Sequence, residues 1–240
     1  MAKELARQGC NVGLIARRRE RLEALAAECQ GFGVRAAVAA ANVAERDKVL
    51  AAFKLLRESL GPVDLLIANS GIGRPTPLEP MDMESVDNMI RVNYLGVVYS
   101  IDGVLPEMLQ RGKGHIAAIS SLAAYKGMPG ESGYCSSKVA VNTYLEGLRI
   151  QLRGRGIAVT TVCPGFIRTP MTEVNEFPMP FVMNADKAAR KILRAIARKK
   201  KVYDFPWTTN LMMRSLRWMP DFLVARIFRN ITGDRPQPAG

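Results

Sequence analysis

Short apolar runs alternate along this chain with longer stretches whose apolar residues recur every three or four positions, a pattern that predicts strands and helices in turn. The strand-like runs fall at residues 11–16, 34–40, 63–68, 115–120, 158–163 and 202–205. Four of them, reading VGLIA, VDLLIA, HIAAIS and VTTVC, are nearly continuous in apolar residues, as strands covered on both faces require. Helical stretches separate them at 19–29, 45–59, 85–111, 133–153 and 185–198. Gly61-Pro62 and the glycines at 112 and 114 mark helix-to-strand turns. The pattern is that of βαβ units around a parallel sheet. Residues 1–9 read as the back half of a helix feeding the first strand, so an earlier strand is expected behind it.

Composition narrows the class without changing this picture. With 240 residues, 48% apolar and 23% charged, the chain can bury a full core and falls outside disordered and fibrous compositions. It has no run of 18 apolar residues and no basic-then-apolar leader, so neither a membrane span nor a signal peptide is expected. Cys10, Cys29, Cys135 and Cys163 lack disulfide or metal spacing, which suits a reducing cytoplasm and small apolar filling roles. The single His115 begins a buried-type strand and is read as structural, with no metal site. The expected organisation is a body at 1–205, containing a Pro/Met/Phe-rich insert at 166–183, and a tail at 206–240.

Charge is unevenly placed. Of a net +12, residues 184–240 hold 13 Lys+Arg against 4 Asp+Glu, or +9, with Arg198-Lys199-Lys200-Lys201 the densest run. A solvated helix end accounts for that run simply, because cations favour the negative end of the helix dipole. An anionic membrane surface or an acidic ligand would also be served. No groove-reading or aromatic-interleaved motif accompanies the charge, so nucleic acid is not an expected partner.

The chemistry-bearing residues gather at predicted strand ends. Tyr134 and Lys138 stand at i and i+4 on one helix face. A phenol alone titrates near ~10, and an ammonium one turn away lowers that value toward the working range of a general acid/base. Ser120-Ser121 closes the strand at 115–120, Asn69-Ser70-Gly71 the strand before it and Pro164-Gly165 the strand after it, while Asn93 lies in the long helix between. Such carboxyl edges are where open α/β sheets bind ligands.

Jointly these residues resemble the short-chain dehydrogenase/reductase family. The resemblance rests on Asn69-Ser70-Gly71, Asn93 in IRVNYLG, Ser121 in ISSLAA, Tyr134 and Lys138 in YCSSK, and the run from Pro164 to Thr169. The gap of 13 from Ser121 to Tyr134 is the family's usual one. It implies a Rossmann-like α/β fold, a doubly wound parallel sheet in three α/β/α layers. It implies that Tyr134 exchanges a proton with the substrate oxygen and that Lys138 lowers the Tyr134 pKa and holds the nicotinamide ribose. Ser121 would polarise the carbonyl, and Asn93 would anchor a water leading to Lys138. Asn69, Ser70 and Gly71 would line the adenosine ribose, Asn42 and Val43 the adenine, and Pro164, Gly165, Ile167 and Thr169 the nicotinamide amide.

Charge also suggests which cofactor is used. After the second strand of such a fold an NAD-preferring site carries an acidic residue; here Arg17-Arg18-Arg19 stand in that place, and an arginine fork suits a 2′-phosphate. NADP(H) is therefore expected, held in part by Arg17 and Arg18. The family opens with a strand and a Thr-Gly-x-x-x-Gly-x-Gly turn that cradles pyrophosphate. No such segment precedes Ala2, so the first strand reads as absent. Either Met1 is an internal start within a longer protein, or the chain is a weak or inactive relative, a scaffold meeting a membrane or partner.

The insert carries Phe166, Met171, Phe177, Met179, Phe181 and Met183. These suggest an apolar carbonyl or alcohol substrate of steroid, retinoid or fatty-acyl type, or equally a packed cap. The tail mixes apolar residues, Phe228 among them, with arginines, and Pro220 should divide it into two helices ahead of a disordered end at 233–240. Its apolar residues form no single clean stripe, so both peripheral membrane contact and packing on the body are open to it. A homodimer or tetramer through the helices at 133–153 and 85–111 follows from the resemblance, and a cytoplasmic setting from the cysteines.

Overall fold

The computed structural model describes residues 1–172, 179 and 181–232, with backbone alone at 228–232. The strands are β1 (Val12–Ala16), β2 (Ala36–Ala40), β3 (Leu65–Ala68), β4 (Gly114–Ile119), β5 (Ile157–Pro164), β6 (Ile167–Arg168), β7 (Met183–Asn184) and β8 (Val202–Phe205). The helices are α1 (Ala2–Arg7), α2 (Arg19–Gln30), α3 (Arg46–Leu60), α4 (Met83–Met89), α5 (Gly96–Asp102), α6 (Leu105–Arg111), α7 (Ser132–Gln151), α8 (Ala185–Ala197), α9 (Trp207–Trp218) and α10 (Asp221–Thr232).

All strand pairing within the named sheets is parallel. β3, β4, β5 and β8 form one four-stranded sheet in that order, and β1 pairs with β2 in a separate ribbon. Every residue of β4 is buried, and its register sets Ile116 between Leu66 and Val159. Alternation along β4 then builds two cores. Ile116 and Ala118 face Val97, Ile101, Val141 and Leu145 of α5 and α7. Ala117 and Ile119 face Ile192, Leu193 and Ile196 of α8. The result is the three-layer, Rossmann-like α/β arrangement expected. The β1–β2 ribbon joins it through side chains, because Ile15 and Val43 pack against the first of these cores. His115 is buried in β4 with Nε2 2.9 Å from Thr160 Oγ1, and burial lowers its pKa.

The six strands expected from apolar runs all form, but the single helix expected at 85–111 does not. The chain makes α4, a π-helical segment at Ile90–Leu95, α5, and then a break before α6. The break follows from proline: Val104 leaves the helical region at φ −123°, and Pro106, in the first turn of α6, has no N–H to continue a helix. At the preceding Gly103 a Cβ would run into the Phe53 ring. In the insert, β6 pairs with β7, Ile167 opposite Met183, and Thr172 Oγ1 donates to Ile167 O at 2.7 Å. Phe177 lies outside the described residues. Pro220 parts α9 from α10 as expected, while the Phe228 side chain and residues 233–240 lie outside the described residues.

Gly103→Ala tests whether local preference or packing governs position 103. Gly103 has helical φ −64°, so propensity alone would have alanine stabilise by about 1 kcal/mol. The Phe53 contact reverses the sign, and urea denaturation should show a loss of about 1–3 kcal/mol.

Candidate functional site

The carboxyl ends of β3, β4 and β5 lie side by side, and each is followed by small or polar residues: Asn69-Ser70-Gly71, Ser120-Ser121 and Gly165. The first turns of α7 pack beside them. This helix buries Cys135, Lys138, Val141 and Leu145 at three- and four-residue spacing, so the stripe that anchors it in the core also carries Lys138 inward.

Lys138 is 4% exposed. Its Nζ donates to Ile119 O at 3.2 Å, where β4 ends, and stands 5.7 Å from the Tyr134 ring centroid. Burial lowers its pKa to about 8. Tyr134 moves the other way: burial raises its phenol above the usual value, and the Ser121 hydroxyl pulls it back in part. Ser121 heads the 3₁₀ turn Leu122–Tyr125, its Oγ accepting from Ala123 N at 3.1 Å. The neighbouring Cys135 thiol is pushed up to about 11 by burial, so it is a protonated filler at neutral pH.

Asn93 is fully buried on the π-helical segment. Its Oδ1 accepts from Ile72 N at 2.7 Å, and its Nδ2 donates to Ile72 O at 2.8 Å and to Ser137 Oγ at 2.9 Å. The amide therefore clamps the turn after β3 onto α7. A Cβ at Gly71 would stand 3.4 Å from Lys138 Nζ and 3.5 Å from Asn93 Oδ1, and one at Gly73 would stand 3.7 Å from the Tyr134 ring and 3.9 Å from Met171 Sδ. The backbone after β3 thus walls the space before Tyr134 and Lys138, with Met171 of the insert facing it.

The residues expected near the nucleotide lie at the ends of β1 and β2. Arg17 and Arg18 are exposed and have no carboxylate partner among the described residues, whereas Arg19 pairs with Glu23. Asn42 Nδ2 donates to Glu45 Oε1 at 3.0 Å and its Oδ1 accepts from Ala44 N at 3.2 Å, so the side chain shapes its own turn. Val43 lies against Gly96, where a Cβ would come within 2.9 Å of it; this contact ties the β2 turn to the helix that follows Asn93. Pro164, the last residue of β5, is buried, and Gly165 after it sits against Pro206, Leu122 and Thr209. Ile167 packs toward α8, while Thr169 N donates to Thr172 Oγ1 at 3.0 Å.

One part of this neighbourhood carried no sequence signal. Asp204 of β8, with its side chain 8% exposed, accepts from Tyr125 Oη at 2.9 Å and from Arg214 Nη2 at 3.1 Å. The Arg214 guanidinium also lies 5.1 Å over the Tyr125 ring. Burial and the adjacent carboxylate raise the Tyr125 phenol far above its usual value, so it acts as a fixed donor. The network ties α9 and β8 to the turn that begins at Ser121.

Known proteins share this architecture. A family model described as short chain dehydrogenase matches residues 1–177. An oxidoreductase of Myxococcus xanthus, itself uncharacterized, is 35% identical over 221 residues, covering 92% of this chain and 87% of that protein. Human 17-beta-hydroxysteroid dehydrogenase 13 is 28% identical over 203 residues, covering 83% of this chain and 68% of its own length. Among solved structures, an alcohol dehydrogenase from the archaeon Thermococcus sibiricus, complexed with 5-hydroxy-NADP, superposes with TM-score 0.75 at 26% identity, covering 85% of this chain and 88% of that one. With its parallel sheet, its clustered strand-end residues and a family match across most of its length, the chain belongs to the short-chain dehydrogenase family of oxidoreductases.

Proposed function

We propose that the chain interconverts a carbonyl and an alcohol with NADP(H), using Tyr134 as the general acid/base on an apolar substrate. The observation that carries this reading is the buried Lys138 ammonium beside the Tyr134 ring, at a strand edge walled by Gly71 and Gly73. Burial alone makes Tyr134 a poor proton donor or acceptor at neutral pH. A cation one turn away favours the phenolate and brings proton exchange within reach.

The residues present suit a nicotinamide dinucleotide. The Gly71 backbone runs in contact range of Lys138 and Asn93, and Arg17 and Arg18, which have no carboxylate partner among the described residues, offer guanidinium groups suited to a 2′-phosphate. Asn42 and Val43 would flank the adenine, Asn69, Ser70 and Gly71 the ribose, and Pro164, Gly165, Ile167 and Thr169 the nicotinamide end, with Tyr134 and Lys138 closing the site. When bound, the cofactor supplies or takes up the hydride. The chain's own part is to hold the substrate oxygen with Ser121 and to move a proton at the Tyr134 hydroxyl. Lys138 keeps the positive charge, and Asn93 holds the surrounding turns in place. Met171 facing Gly73, together with the steroid in the name of the human relative, supports an apolar substrate.

We assign the chemistry to residues 1–205, with 206–240 as an accessory tail, in a cytoplasmic protein. Homo-oligomer formation through α7 is supported by the exposed Val139 and Ile150 on its outer face. A depression of about 840 Å³ there is lined by Tyr94, Thr143 and Tyr144 among others.

Tyr134→Phe removes only the hydroxyl, and carbonyl reduction should fall by about 10²–10⁴-fold with NADPH affinity nearly unchanged by fluorescence titration; full turnover would end the assignment of Tyr134. Arg17→Ala/Arg18→Ala should weaken NADPH binding by about ten-fold or more, as loss of charged hydrogen bonds does, and leave NADH binding unaltered. Lys138 offers a test through stability. It titrates at about 8 when folded against 10.5 when free, so the unfolded chain holds more protons between those values and stability rises with pH across that window. The buried charge thus costs folding about 3 kcal/mol at neutral pH. Lys138→Met should abolish turnover yet raise the urea midpoint at pH 7, with the advantage shrinking as pH climbs above 8.

A further inference from the structure

The exposed apolar side chains of this protein are concentrated in one region. Twelve of the eighteen large ones among the described residues belong to the segments that follow β3, β5 and β8. Trp218 is 86% exposed, Leu78 83%, Trp207 74% and Phe222 71%. A chain leaving a parallel strand emerges at the sheet's carboxyl edge, so all three segments rim the edge that holds Tyr134 and Lys138.

α9 shows that this exposure is not a by-product of folding. At about 100° per residue, Thr209, Met213 and Leu216 fall on one side of the helix, and these are the residues it buries, the last two against Leu122 and Cys163. Trp207, Leu211 and Trp218 fall within about 40° of one another on the opposite side, and all three are exposed. The helix therefore has a second apolar stripe that the body does not use. α10 continues it, burying Val224 while leaving Phe222 outside.

The charges bordering this stripe are basic. Arg217 and Arg226 are exposed and have no carboxylate partner among the described residues. Within residues 207–227 the acidic group is Asp221, which Lys126 engages at 3.1 Å. A second copy of the chain laid on this surface would bring arginines against arginines, whereas an anionic surface pairs with them. The tryptophans point the same way, since their amphipathic rings settle at the lipid–water boundary. No described helix is long and apolar enough to cross a membrane, which leaves contact in the plane of the interface.

We propose that the rim built from α9, α10 and the loop after β3 docks on an anionic phospholipid surface. Docking turns the mouth of the site toward the bilayer, where an apolar substrate concentrates. The surface itself stands apart from the catalytic reading, because none of its residues takes part in the proposed proton transfer.

The two tryptophans of the chain are Trp207 and Trp218, so tryptophan fluorescence, excited selectively over tyrosine, reports on this surface alone. With phosphatidylcholine vesicles containing phosphatidylglycerol, the emission should shift to the blue and the protein should co-sediment; with pure phosphatidylcholine, both effects should be much weaker. Arg217→Glu/Arg226→Glu, which keeps both reporters, should lower partition into the anionic vesicles by about ten-fold or more. Trp207→Ala/Trp218→Ala should lose co-sedimentation while keeping the wild-type circular dichroism. Tyr134→Phe should dock like wild type, which separates failure of this proposal from failure of the catalytic one. An unshifted emission with no co-sedimentation overturns the proposal. So does a blue shift that appears without lipid as protein concentration rises, which would make the occupant a second copy.

Discussion

Placing a lysine ammonium among apolar side chains at the end of β4 constrains the rest of the site. A charge taken out of water is unfavourable unless its neighbours compensate, and the neighbours of Lys138 are few and specific. The Ile119 carbonyl accepts from it, the Tyr134 ring face lies beside it, and Asn93 Oδ1 and Nζ both border the Gly71 position. Each partner in turn limits its surroundings. Asn93 must turn inward on its π-helical segment, and Ser137 must meet Asn93 rather than solvent. A wide π turn within an otherwise α-helical stretch often marks a functional position, and here it directs one amide into three hydrogen bonds.

The sheet supplies the rigidity that this arrangement needs. β4 is covered on both faces and flanked by β3 and β5, so the positions of Ile119 and Ser121 are set by the most buried part of the molecule. The same stripe of α7 that fills the core with Val141 and Leu145 delivers Lys138 one turn earlier. Packing and chemistry are thus carried by one helix face, and stability is given up locally to keep a charge where Tyr134 can use it. In a member of the short-chain dehydrogenase family this exchange is made where the proposed proton transfer takes place.

The carboxyl edge is closed from the other side by β8 and α9. Asp204 holds Tyr125 and Arg214 together, and Gly165 lets Pro206 and Thr209 come close to Leu122. The turn beginning at Ser121 is therefore gripped by the helix whose outer stripe is exposed and apolar. Whatever rests on that stripe meets a structural element only a few side chains away from the site.

Much of this was legible in the sequence, for local reasons. Short apolar runs bounded by turn residues favour strands, and the six strand-like runs, four of them nearly continuous, became six strands within a residue or two of the expected bounds. The spacing of Tyr134 and Lys138, and of Asn69, Ser121 and Pro164 at successive strand ends, needed only the regularity of helix and sheet. What the tertiary structure decided depends on residues far apart in the chain. Position 103 has no room for a side chain because Phe53 of α3 occupies the space beside it. Asp204 becomes the centre of a hydrogen-bonded network because β8 brings it within reach of Tyr125. Lys138 titrates at about 8 because the folded core excludes water from it. The two stripes of α9 are both apolar in sequence, and packing against Leu122 and Cys163 alone determines which is covered. Periodicity records which faces prefer to be buried; which partner buries them is settled only when distant segments meet.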